Sequence, residues 1–222
     1  TMYSNLTYDP AKQIKPVIIL AESAGALIVH PSLPVKSVPE FIALAKAKPG
    51  ALAYGSAGHG SALHMAAELF TFMSGTKLTH VPYRGSAPAM TDLIGGQTQL
   101  MFENIATGLP YIKAKRIRAL GVTSLKRMPS LPDVPPISES GVPGYEAAPW
   151  YTISVASGVP NDIVRKLNAD LEKVLRMPEV LTRWNELGVT VVGGSTEAAV
   201  KKNQMEAERW TKVIKAAGIR AE

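Results

Sequence analysis

Residues 52–64 read LAYGSAGHGSALH and residues 78–92 read LTHVPYRGSAPAMTD. Each stretch begins with a short β-compatible run, passes through a loop of small residues and opens an apolar helical pattern. The first runs from a strand at Leu52–Gly55 through Ser56-Ala57-Gly58-His59-Gly60-Ser61 into a helix over Ala62–Met73 that Gly75 ends. The second runs from a strand at Leu78–Pro82 through Tyr83-Arg84-Gly85-Ser86 into a helix from Ala87 to Ile94, with Pro88 in its first turn and Gly95-Gly96 after it. Repeated strand–loop–helix units argue for α/β architecture with mainly parallel sheets.

Upstream, Val17–Ala21 and Ala26–His30 read as strand segments around Glu22-Ser23-Ala24-Gly25, and Ser37-Val38-Pro39-Glu40 is a capping box that opens a helix stopped by Pro49-Gly50. Downstream, Thr98–Phe102 is a strand that leads through Glu103-Asn104 into a short helix, and Ile117–Thr123 is another strand. Residues 128–149 hold six prolines and read as a connector between two lobes. Beyond it come a strand at Trp150–Ala156, a helix over Asp162–Leu175 and a helix over Glu179–Leu187. A short strand at Val189–Val192 and a long helix over Thr196–Ala217 close the chain. In the first of these helices Ile163, Val164, Leu167, Leu171, Val174 and Leu175 share one face, the expected buried side. This places residues 26–147 in one lobe and residues 1–25 with 148–222 in the other.

The first turn of a helix leaves backbone N–H groups without intrahelical partners, and the helix dipole adds partial positive charge there. Small residues ahead of that turn let a ligand approach the backbone, which makes an anion site without a charged side chain. Two such junctions on successive parallel strands bring both helix N-termini to one sheet edge. Ser56 and Ser61 add hydroxyls at the first, and Tyr83 and Ser86 at the second, with Arg84 as a counter-charge. Tight turns serving structure alone explain the same pattern. The spacing fits neither nucleotide loop, GxxxxGK[ST] or GxGxxG.

Bulk composition narrows the class. The 222 residues are 46% hydrophobic and 19% charged, a globular balance, and hold no cysteine, which excludes disulfides, thiolate metal sites and cysteine nucleophiles. No apolar run is long enough to span a bilayer, and the opening TMYSNLTYDP has neither the basic nor the apolar part of a signal peptide. The net charge is +6 with a pI near 9.5. The basic residues are scattered and only 6% of residues are aromatic, so a nucleic-acid platform is not expected. Steering of an acidic small molecule fits the charge better.

Enzyme constellations are weak. Gly58-His59-Gly60-Ser61-Ala62 lacks the final glycine of the hydrolase elbow GxSxG. His59 and His64 are five apart, about 140° on a helix, which does not match a helical zinc pair. No histidine is therefore assigned to a metal or to catalysis, and no cofactor is expected. Glu103 reads as a strand-end carboxylate that bonds a ligand or caps the next helix.

Six stretches in order resemble the Bug-type periplasmic receptors of tripartite tricarboxylate transporters. They are YDPAKQIKPVIILAES (8–23), VHPSLPVKSVPEFIALAKAKPGALAYGSAGHGSALHMAAELF (29–70), HVPYRGSAPAMTDLIGGQTQLMFEN (80–104), IKAKRIRALGVTS (112–124), RMPSLPDVPPISESGVPGYE (127–146) and VIKAAGI (213–219). The resemblance implies a two-lobed Venus-flytrap fold, no enzymatic activity, and a small organic acid held in the interlobe cleft for delivery to a membrane permease. It implies an exported, periplasmic protein; its oligomeric state is open, with a monomer the default for a shuttle that must diffuse. Ligand contacts carried over from the family fall on Ser56, Ala57, Gly58, His59, Gly60 and Ser61, on Tyr83, Gly85, Ser86 and Ala87, and on Glu103 and Asn104. Glu103-Asn104 stands where the family more often has Asp-Asn, which implies a narrower pocket. Family members carry a strand and a proline/glycine-rich loop ahead of the point where this chain begins, so the first lobe is expected to be incomplete here. The alternatives are a serine-type hydrolase of an acidic substrate, using Ser61 with His59 or His64, and a ligand-sensing domain that signals to a partner.

Overall fold

The apolar run VIILAES belongs to the strand Ile14–Ser23 (β1), which a single helical turn, Pro10–Gln13 (α1), precedes. ALIV follows almost at once in Gly25–Val29 (β2), with Ala24 alone between the two strands. The loop expected over Glu22–Gly25 is therefore mostly strand. The computed structural model describes residues 6–219. The outer ends of the expected segments 1–25 and 148–222, and the first half of TMYSNLTYDP, lie outside the described residues. The chain forms two units, one holding it as far as Ser23 together with Trp150–Gly218, the other holding Ala24–Pro149 with Ile219.

In the larger unit, β2 is joined by Ala53–Ser56 (β3), Thr79–Pro82 (β4), Leu100–Asn104 (β5) and Arg118–Val122 (β6) in the order β4-β3-β5-β2-β6. The intervening helices are Val38–Ala47 (α2), Ala62–Ser74 (α3), Ser86–Ile94 (α4) and Ile105–Lys113 (α5). β3 pairs in parallel with β4 and β5, while β2 runs antiparallel to both β5 and β6. Four strands thus point one way and β2 alone is reversed among them. The expectation of mainly parallel sheets is corrected here: two pairings are parallel and two, both made by β2, are antiparallel, and the long stretches of chain between β2 and each of its neighbours permit either direction.

All five residues of β2 are buried, so its alternating side chains serve two cores. Ala26 and Ile28 pack with Leu63, Met90, Leu93 and Met101. Phe102 alternates with Met101 and joins Phe41, Phe70 and Tyr145 in an aromatic group with centroids 5.7–6.3 Å apart. The proline-rich segment, expected as a surface connector, instead builds this core. Ile137, Val142 and Tyr145 are buried, the Tyr145 hydroxyl donates to Ala66 O at 2.9 Å, and Val122 N–H donates to Pro135 O at 2.9 Å. Proline has no N–H to satisfy, so an irregular segment rich in it can be buried with few backbone donors to place. Gly121 on β6 lies directly against this segment. A Cβ there would stand 2.7 Å from Ile137 Cγ1 and 2.9 Å from Val38 Cγ2.

In the smaller unit β1 lies between Trp150–Ala156 (β7) and Val189–Val191 (β8), antiparallel to both, so among the described residues this sheet has no parallel pair. Asn161–Leu175 (α6), Pro178–Glu186 (α7) and Thr196–Ala217 (α8) complete it. Val17, Ile18, Val164 and Leu175 form its core, with Leu171 and Trp184 packed alongside. Asn168 Nδ2 donates to Val17 O and Gly194 O, both at 3.0 Å, and Thr196 Oγ1 donates to Val17 O at 3.0 Å. The expected buried face of α6 is only half realised, since Ile163 (48%), Leu167 (36%) and Val174 (43%) are exposed.

Candidate functional site

β3, β4 and β5 are parallel and each feeds a helix, so α3, α4 and α5 all begin at the carboxyl edge of these strands. The three starts differ. α3 is capped, with Ser61 Oγ accepting from His64 N–H at 3.2 Å. α4 follows Gly85 at φ +110°, a conformation suited to glycine, and has no side-chain cap. The amides of its first turn, Ser86 and Ala87, have no partner within the helix. α5 follows Asn104, again without a side-chain cap, and Asn104 Oδ1 is buried with no hydrogen-bond partner. Small residues bring α4 close to β3, since a Cβ on Gly55 would meet Ala89 Cβ at 3.3 Å.

A groove of about 440 Å³ runs between α4 and α5, lined by Ser86, Ala87, Met90, Glu103, Thr107 and Tyr111 among others. Glu103 is 2% exposed. Its Oε1 accepts from Asn104 N–H at 2.9 Å and from the Thr107 hydroxyl at 2.6 Å, while Oε2 is buried without a partner. Burial pushes its carboxyl above the usual range, against the opposing pull of the Thr107 and Asn104 bonds. A raised folded-state pKa means that the fold holds the proton more tightly than the unfolded chain. The resulting stabilisation is complete below the ordinary carboxylate range and is lost as pH rises through the folded value. Glu103→Gln keeps the acceptor at Oε1 and carries no charge. Its stability relative to the parent should therefore grow with pH, by on the order of 1–3 kcal/mol near neutrality. Urea unfolding at several pH values checks this, and parallel curves for the two proteins would remove Glu103 as the responsible group.

The 56–61 loop is built from within. Ser56 is fully buried, and its Oγ accepts from Gly58 N–H at 3.1 Å, reaches Gly58 O at 3.2 Å and lies 2.6 Å from His80 Nε2. Gly58 (φ +117°) and Gly60 (φ +72°) take backbone conformations that side chains disfavour. Gly60 N–H donates to His64 Nδ1 at 3.0 Å. The His64 and His80 rings stack at 4.1 Å, and His59 stands edge-on to both, at 5.7 and 4.9 Å. Tyr54 stacks on His80 at 4.8 Å and donates to Glu68 Oε1 at 2.5 Å. Burial is the main cause that lowers the buried His64 and the half-buried His80, the latter to about 4. The neighbouring histidines lower His80 further, and Glu68 partly opposes the shift at His64.

The structure thus gathers Ser86, Ala87 and Glu103 on one groove, with Gly85 and Asn104 at the helix starts that flank it. Two of the hydroxyls expected at the ligand are engaged within the protein: Ser56 Oγ bonds inside the loop and to His80. The Tyr83 hydroxyl is likewise engaged, donating to Asp92 Oδ2 at 2.7 Å, and its pKa is pushed up to about 12 chiefly by burial. Two features were missed. Thr107, four residues after Glu103, has helical spacing that would have flagged it. His80 reaches His59 and His64 only because β4 pairs with β3, which no spacing in the chain records.

The family model described as tripartite tricarboxylate transporter family receptor matches residues 1–219. The chain belongs to this family. Among curated relatives of the chain is a UPF0065 protein from the tcbD-tcbE intergenic region of Pseudomonas sp. strain P51, 36% identical over 96% of this chain and 63% of its own length. Among solved structures, R. palustris Rpa4515 with adipate superposes with a TM-score of 0.89 at 40% identity, covering 99% of this chain and 73% of that one. MatC from Rhodopseudomonas palustris, with bound malate, gives 0.86 at 29% identity over 96% and 74%. The chain therefore spans a little under two-thirds of the Pseudomonas relative. The family resemblance seen in the sequence and the α/β binding-protein fold are borne out. Membership in a receptor family also counts against the hydrolase alternative, whose nucleophile Ser61 serves as the cap of α3.

Proposed function

We propose that the chain is the ligand-binding portion of a periplasmic receptor that holds a small organic carboxylate and hands it to the permease of a tripartite transporter. The observation that carries this reading is the uncapped start of α4, set beside that of α5 on the groove. Ser86 and Ala87 offer two amides and a hydroxyl to one carboxylate, with the partial positive charge of the helix behind them. Further contacts are proposed at Gly58, His59, Gly60 and Ser61 of the neighbouring junction, where a Cβ on Gly58 would stand 3.3 Å from Tyr83 O. Glu103 in its neutral form donates from Oε2 to a ligand oxygen, which relieves its missing partner. The named ligands of the two structural neighbours, adipate and malate, are dicarboxylates, which suits this chemistry.

Titration calorimetry of the folded chain with a series of four- to six-carbon dicarboxylates tests the reading. One ligand per chain is expected, recovered chemically unchanged after prolonged incubation. Absence of saturable binding across the series, or release of a product, sinks it.

A further inference from the structure

We propose that His59, His64 and His80 form a binding site for a divalent transition-metal ion. One potential ligand nitrogen from each residue lies within 4.8 Å of those from the other two, and among the described residues no other group of three or more potential metal ligands comes together. The three come from different elements: His59 from the loop after β3, His64 from the first turn of α3, and His80 from β4. Neighbouring parallel strands and one helix start therefore place them side by side.

The ligand set selects the ion. Three imidazoles with no thiolate suit zinc, nickel or copper rather than calcium or magnesium, which take oxygen ligands. Three protein ligands also leave a fourth tetrahedral position for water, and the exposed His59 places that position on the solvent side. Metal–nitrogen distances of about 2.0–2.1 Å put tetrahedral ligand nitrogens about 3.4 Å apart, so the cluster must contract by roughly 1–1.5 Å. His64 in α3 and His80 in β4 are held by regular structure. The closing movement therefore falls to His59, which stands between Gly58 and Gly60, both at positive φ. A loop with two such glycines can shift a side chain by that distance.

Binding also rearranges the loop. Gly60 N–H now donates to His64 Nδ1. An ion on Nε2 requires the proton to sit on Nδ1, and an ion on Nδ1 occupies the lone pair directly. In either case the Gly60 amide lets go. Metal capture is thus linked to the conformation of Gly58–Ser61, the segment that leads from β3 into α3. The metal site rests on the histidine geometry alone and stands whether or not the chain binds a carboxylate.

The test uses chelator-treated protein free of any affinity tag, titrated with zinc or nickel chloride by calorimetry. One ion per chain is expected. His59→Ala and His80→Ala should each weaken it at least tenfold, and His30→Ala, which removes the one remaining histidine, should leave it unchanged. His59 is exposed, so its variant retains the fold, which circular dichroism verifies; the buried His64 is left intact. The Gly60 amide resonance should shift on metal addition. No stoichiometric binding by the parent, or equal affinity in folded His59→Ala, overturns the proposal.

Discussion

Ser86→Asp is expected to weaken dicarboxylate binding by at least 100-fold while leaving the melting temperature unchanged or higher. Ser86 opens α4, which no side chain caps. A carboxylate in the first turn interacts favourably with the helix dipole, by about 0.3–1 kcal/mol, so the fold gains or is indifferent. The same carboxylate fills the place of the incoming anion and repels it. Like charges set together at a binding surface cost several kcal/mol, well beyond the roughly 2.7 kcal/mol that 100-fold represents. Stability and affinity should therefore move in opposite directions, which damage to the fold would not produce. Ser86→Asn, similar in size and uncharged, should lose far less. Equal affinity in the Asp variant, measured by calorimetry on folded protein, would place the anion away from α4.

The largest stability effect is expected at Gly121. Its missing side chain is the space into which Ile137 and Val38 pack, both fully buried, and a single added carbon would already lie under 3 Å from each. Gly121→Val should cost about 3 kcal/mol by overpacking. For a chain of this length each kcal/mol is worth about 2–4 °C, so a fall of about 6–12 °C is expected in a thermal melt. A double-mutant cycle identifies the cause. In an Ile137→Ala background the added bulk has room, and Gly121→Ala should then cost much less than it does in the parent. An unchanged cost in that background would mean that Ile137 is not what the glycine accommodates.

The parts of this fold that were legible in the sequence are those decided within a few residues. Ser37 and Ser61 accept from the amides three residues on, at 3.4 and 3.2 Å, and Gly75 ends α3 in the left-handed conformation at φ +65°. Serine before an apolar run and glycine after it signal these ends without any tertiary context. The direction of β2 was not legible, since nothing in ALIV distinguishes a parallel from a reversed buried strand. The proline-rich segment misled for a related reason: proline density reports the lack of regular structure, and burial is a separate matter settled by Ile137, Val142 and Tyr145. At the site, the helix starts were readable because small residues precede them. The fates of the Ser56 and Tyr83 hydroxyls were not, because their partners, His80 and Asp92, are set by strand pairing and by the turn of α4.

The reversed strand has a consequence for how the chain reaches this structure. β2 is the most buried strand of the larger sheet, yet both of its neighbours are made long after it: Leu27 pairs with Phe102 on one side and Gly121 on the other. Closing those two distant loops must precede the reward of pairing, which places the sheet among slow-assembling topologies. Until Leu100–Val122 has emerged, Ala-Leu-Ile-Val has two open edges and two apolar faces, the features that favour pairing with another chain. β3, β4 and their helices can assemble locally in the meantime. The earliest strand of the unit is thus among the last to find its place, and the nascent chain needs its shielding at that point.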